Sequence, residues 1–232
     1  LDACTSYGTH LLWPFTDERI AWSIVPIFDP LLSLILGAAM LAGLRWHKTL
    51  PARICLLLAA AYLSIGWLQH QRAEEAMRAT AALRGHEAEK LTVKPTMGNL
   101  LLWRSIYRAN GVYYVDAVRV GGAARIYPGN TARAFDLSRD LSRDLPALSP
   151  ASVLHQDIKR FGFFSDGYLA LHPDDPGLLG DVRYAMLPTS TRPLWGIRLD
   201  MRQPQAHAQF ETSRQMSREE IDRFIRMLRG KD

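Results

Sequence analysis

The sequence predicts an α+β protein: an N-terminal transmembrane helical hairpin and stalk helix, followed by a β-rich soluble domain that ends in an amphipathic helix. Three observations predict it. Charged residues nearly vanish from two adjacent stretches, with Asp29 alone between Ile20 and Leu44 and none from Ile54 to Leu68. Beyond about residue 90, short runs rich in β-branched and aromatic residues replace that texture. Ser217-Arg218-Glu219-Glu220, a capping box, stands directly before an Ile-Phe-Ile-Leu helical periodicity. These divide the chain into a membrane helical part with its stalk, residues 1–90, and a soluble α+β domain, residues 91–232.

Residues 1–19 form a short polar-aromatic segment. Pro26 and Pro30 then prevent one uninterrupted helix. Asp29-Pro30 has the order of a helix start, an Asp cap followed by Pro in the first helical position. A helix from Pro30 to about His47 is roughly 27 Å long, close to the ~30 Å hydrocarbon core. The next runs from Pro51 to about Leu68. Small-residue helices of this kind also occur in soluble cores. These two, however, are apolar all round and are joined by the compact basic link RWHKTLPAR, which favours a membrane hairpin. Trp46, Tyr62 and Trp67 lie at or towards helix ends, where aromatic rings favour the interface. Arg45, Lys48 and Arg53 in the link place it in the cytoplasm and the soluble domain in the periplasm. Arg72, Arg78 and Arg84 follow the second helix and reduce that bias.

Residues 69–90 are rich in Ala, Glu and Arg and extend the second helix as a stalk ending near Gly85. NLLLWRSIYRA, GVYYVDAVRV, GYLALHP, DVRYAML and LWGIRLDM read as strands. Asn110-Gly111 between the first two predicts a two-residue type I′ hairpin turn, since both positions need positive φ. The tandem LSRD over 137–144 reads as an exposed helix or turn. Ser152 to Phe161 reads as an amphipathic helix with Val153, Ile158 and Phe161 inward. The helix begun by the capping box buries Ile221, Phe224, Ile225 and Leu228 on one face.

The chain has 232 residues and a net charge of +5, carried by Arg far more than Lys. Its arginines are interleaved with acids rather than gathered on one face, which argues against nucleic acid as a partner. Two cysteines are too few for a disulfide framework. Cys4 and Cys55 are far apart in sequence and read as neither a pair nor a zinc knuckle. The chain opens on Leu-Asp, with no basic segment and cleavage site ahead of the apolar stretch. That opening predicts further residues before Leu1 in the natural protein.

No hydrolase triad signature, P-loop, GxGxxG, CxxC or HExxH occurs. The informative stretch is the first thirty residues, where Asp2, His10, Asp17, Glu18 and Asp29 surround the membrane boundary. An Asp there is costly unless it caps, pairs or binds a metal. Asp29 reads first as the helix cap, His10 as an interfacial polar residue, and Asp17 and Glu18 as solvated charges.

The opening block LDACTSYGTHLLWPFTDERIAWSIVPIFDPL resembles the signature of the YdjM-type inner-membrane metal-dependent hydrolases. KPTMGNLLLWRSIYRANGVYYV, FFSDGYLAL, DVRYAML and PLWGIRL follow in that family's order. The resemblance implies a multi-spanning protein of the bacterial inner membrane, with the lipid bilayer as its partner. It also implies a site that uses His and Asp to hold a divalent metal, zinc in the first instance. Asp2 matches the family's metal-binding Asp, and the partner histidines would lie before Leu1. Thr9, His10 and Asp29 would then shape or polarise the mouth of the site and bind substrate. The activity implied is hydrolysis of phosphoesters or lipid-derived substrates at the bilayer surface, by water activated on the metal. The rival reading is a non-catalytic membrane protein whose soluble domain binds a partner or envelope component, with Asp2 and Asp29 structural.

Overall fold

The computed structural model describes residues 1–16, 18–46 and 49–231. Asp17, read as a solvated charge, and His47 and Lys48, read as a helix end and part of the basic link, lie outside the described residues, as do Asp232 and the Trp46 side chain.

Two apolar helices come first. α1 spans Pro30–Trp46 and α2 spans Thr49–Leu83. α1 starts at the expected proline because Asp29 caps it. α2 starts two residues earlier than Pro51, whose missing N–H is harmless in a first turn that has no partners for it. The expected second span and stalk are one continuous helix of 35 residues, roughly 52 Å long. Only 11% of its apolar stretch is buried, the reverse of a core helix. Leu34, Leu41 and Leu44 of α1 and Leu57 and Trp67 of α2 are all more than half exposed. Among the described residues α2 is the one helix long and apolar enough to cross a membrane; α1 is apolar but shorter.

The remainder is built on two sheets. β1 (Lys90–Pro95), β2 (Leu102–Ala109), β3 (Val112–Arg119) and β4 (Arg125–Tyr127) lie side by side in that order, and β5 (Thr131–Arg133) pairs antiparallel with β3. The second sheet runs β6 (Leu169–His172), β7 (Asp175–Asp181), β8 (Trp195–Arg198), β9 (Gln209–Thr212), antiparallel throughout. Asn110 and Gly111 turn the β2–β3 hairpin with φ of 51° and 74°, the positive pair a type I′ turn requires. α3 (Asp140–Asp144) covers the second half of the tandem LSRD, and α4 (Val153–Phe164) is capped by Ser152, whose hydroxyl accepts the His155 N–H. Leu154, Ile158 and Phe161 of α4 form one core with Leu169, Leu179, Trp195 and Ile197.

The chain divides into two compact units. One comprises Leu1–Thr80, Thr92–Ser105 and Val118–Ile126; the other comprises Ala81–Leu91, Ile106–Ala117 and Tyr127–Asp232.

Three expectations need correction. DVRYAML is not a strand: only Asp181 belongs to β7, and the rest is turn and coil. The strand is Asp175–Asp181, where Pro176, Gly177 and Gly180 erase the β-branched pattern that marks a strand in sequence. The LSRD helix is not simply exposed, because Asp140 is fully buried and Arg133, Arg139 and Arg143 all reach it. The C-terminal helix α5 (Arg218–Arg229) has the expected capping box and ends on Gly230, but it does not bury its predicted face. Met227 is its buried residue, Phe224 and Leu228 are half-buried, and Ile221 and Ile225 stay exposed. The helix is held near its end, where Met227 O accepts the Tyr127 hydroxyl, and its amphipathic stripe is left largely open.

Candidate functional site at the membrane boundary

The four candidate site residues, Asp2, Thr9, His10 and Asp29, lie in the opening segment, which folds back on itself. A 3-10 turn over Asp2–Cys4 leads into a strip whose carbonyls receive the returning chain. Ala3 O accepts the Trp22 N–H at 2.8 Å, Cys4 O accepts Ile24 at 2.9 Å and Val25 at 3.2 Å, and Thr5 O accepts Ser23 at 3.3 Å. Thr9 and Ile20 close the strip with paired backbone bonds of 3.0 and 2.9 Å. Both cysteines are free thiols, Cys4 buried in this strip and Cys55 half-buried on α2.

The returning strand is seated on α2 at Gly66. A Cβ there would stand 2.3 Å from Ile24 O, a clash with backbone that no rotamer relieves. Only glycine allows that approach.

Asp29 is 5% exposed, and both its carboxylate oxygens are engaged. Oδ1 accepts the Leu32 N–H at 2.9 Å, which is the cap of α1, and Oδ2 accepts the Tyr62 hydroxyl of α2 at 2.6 Å. Asp2 is exposed; its backbone carbonyl takes the Thr5 N–H and hydroxyl, while its carboxylate has no partner among the described residues. Thr9 is held by its backbone. His10 is half-buried, its carbonyl accepts the Trp13 N–H at 3.2 Å, and its Nδ1 is buried with no hydrogen-bond partner among the described residues. All four lie within the first thirty residues; both Asp29 carboxylate oxygens are engaged, whereas the Asp2 carboxylate and His10 Nδ1 have no hydrogen-bond partner among the described residues.

Sequence reasoning missed Lys94. It is 6% exposed, and its ammonium donates to Ser6 O at 2.8 Å, placing a buried cation against the opening strip. A single Lys inside KLTVKP carries no local signal of this; the partner is 88 residues away.

A metal site needs more than this. Zinc takes three or four ligands from the protein. Among the described residues no group of three or more His, Cys, Asp or Glu could hold a metal ion. The described residues therefore do not make a zinc site by themselves, and Asp2 offers one ligand at most.

The second unit holds a polar groove of about 850 Å³, lined among others by Asn130, Thr131, Ser190, Thr191, Arg198 and Glu211. Arg198 is clamped from both sides, to Glu211 at 2.7 and 2.8 Å and to Asp175 at 2.8 and 2.7 Å. These hydrogen bonds hold both carboxyls below the usual carboxylate range.

The exposed apolar helix α2 and the opening strip docked on it are features of a membrane protein. Comparison with known families agrees. Residues 1–73 match the model of the family described as YdjM inner membrane protein, so the part of the chain holding Asp2, Thr9, His10, Asp29 and most of α2 is similar to an inner membrane protein. No curated protein and no solved structure matches the chain.

Proposed function

We propose that the protein is a membrane-bound, metal-dependent hydrolase whose site lies at the opening strip, with Asp2 as one metal ligand. The supporting observation is the contrast within that strip. Asp29 spends both oxygens on structure, whereas the Asp2 carboxylate and His10 Nδ1 have no partner among the described residues. A buried side-chain nitrogen without a partner, as at His10, is a place where a ligand or ion is expected, and the exposed Asp2 carboxylate is accessible to one. In this reading the remaining ligands are histidines upstream of the Leu-Asp pair, zinc is the first metal to test, and Thr9, His10 and Asp29 border the substrate. Substrates are phosphoesters or lipid-derived molecules met at the bilayer surface. α1 and α2 form a transmembrane hairpin, consistent with the start of α1 lying beside Tyr62, near the end of the apolar part of α2. The soluble domain is periplasmic.

The test is hydrolysis of synthetic phosphodiesters and of phospholipid vesicles by the natural protein. Activity that needs a divalent metal and is lost in Asp2→Asn is expected; metal-independent activity, or none in either protein, contradicts the reading.

A second reading is favoured by the groove in the second unit. An open, hydroxyl-rich surface suits a non-catalytic protein that binds a polar envelope component, with Asp2 and Asp29 structural. Binding of such a component that is lost on Thr191→Trp but unchanged in Asp2→Asn is what it predicts.

A further inference from the structure

We infer that the turn over residues 10–16 is a bilayer anchor, set into the head-group region with Leu11, Leu12, Trp13 and Phe15 facing lipid. These side chains are 56%, 51%, 69% and 92% exposed. Four large apolar residues in five positions, all turned outward, form a patch that a water-exposed loop does not keep. The turn is nevertheless ordered by its own backbone, with the Phe15 and Thr16 N–H groups donating to Leu12 O at 2.8 and 3.3 Å. The Thr9–Ile20 pair pins its base. It is a built feature rather than a frayed end.

The occupant follows from where the strip is attached. Ile24 packs on Gly66, two residues before the apolar stretch of α2 ends at Leu68 and six before Arg72. The strip is therefore held at the height where α2 leaves the hydrocarbon. Trp22 and Phe28, from the same segment, are also exposed, at 54% and 62%, and Trp67 on α2 is 57% exposed. Exposed aromatic residues flanking that attachment point in the chain are what a membrane interface selects, since an amphipathic ring is best placed at the head groups. An interfacial element buries its apolar face only ~5–10 Å into the head-group boundary, a depth a turn of this size can reach. The inference rests on the membrane location of α2 and is independent of the hydrolase reading.

Site-directed spin labelling tests it in the natural protein, with Cys4 and Cys55 replaced by Ala. Single labels are placed by Phe15→Cys and, separately, Leu12→Cys, both exposed positions whose replacement leaves packing intact. The protein is reconstituted in vesicles of phosphatidylethanolamine and phosphatidylglycerol. Leu57→Cys serves as the lipid reference and Glu87→Cys as the water reference. The expected result is collision with oxygen raised and collision with a water-soluble nickel complex suppressed towards the Leu57 level. Nickel collision equal to that at Glu87 overturns the anchor. So does low collision with both reagents, which would mean that protein, another segment or a second copy, covers the turn.

Discussion

Asp29 shows how a single carboxylate can join two helices. It satisfies the first turn of α1 with one oxygen and the Tyr62 hydroxyl of α2 with the other. Loss of such a cap costs about 1 kcal/mol, and a hydrogen bond to a charged group contributes on the order of 2 kcal/mol. Gly66→Ala addresses the same junction from the other side. Its new Cβ meets Ile24 O, so the strip must lift from α2. Limited proteolysis should then cut within residues 1–28 faster in the variant than in the parent; unchanged cleavage would show that the strip is not held there. In the second unit, Asp116 is 2% exposed, takes two nitrogens of Arg84, and accepts the Gly129 N–H at 3.0 Å. Asp116→Ala leaves the Gly129 N–H without its partner and the partly exposed Arg84 guanidinium with only the Tyr107 hydroxyl, at 3.1 Å. It should cost about 2 kcal/mol by thermal unfolding, below the 3–5 kcal/mol of a fully buried pair, because Arg84 still reaches solvent. At this scale the sequence revealed the cap, because Asp-Pro is a local signal. It could not reveal Tyr62, Lys94 or Gly66, whose partners are brought close by the fold and not by spacing.

Elements were legible where their signal is local. α4, the Asn110-Gly111 hairpin and the capping box of α5 all depend on residues within four positions of one another. β1, β4, β5, β7 and β9 were not, since each is short or carries Pro and Gly and is stabilised by neighbours in the sheet. The open stripe on α5 has an energetic consequence. Phe224 is half-buried, so Phe224→Ala should cost less than the ~3 kcal/mol at the low end for a core Phe, whereas Met227, which is 2% exposed, should be the more sensitive position. Equal or reversed losses in thermal unfolding would mean the stripe is covered. The second sheet carries a pH dependence. Arg198 on β8 lowers the pKa of Glu211 on β9 and of Asp175 on β7. A lowered folded pKa stabilises the protein above the unfolded value of about 4, and the contribution is lost as pH falls through the lowered values. The unfolding midpoint should therefore drop between about pH 5 and about pH 3, and drop less in Arg198→Met. An identical acid response in both proteins would remove this contribution.

For the whole molecule, an averaged hydropathy near zero conceals a chain split between an exposed apolar helix and polar sheets. The opening strip joins the first of these to the chemistry proposed for it, since it is docked near the end of the apolar stretch and carries the open Asp2 and His10. The density of the motif marks this segment in the sequence; which side chains meet there it could not mark, since ligation is a property of side chains brought together in space. The most direct test is the metal content of the natural protein purified in detergent, with and without Asp2→Asn, alongside circular dichroism to confirm that the variant is folded. The account predicts a stoichiometric divalent metal in the parent and its loss in the folded variant, because Asn keeps the shape of Asp but removes the charge that holds the cation. A metal retained in Asp2→Asn, or a parent that binds none, would contradict it.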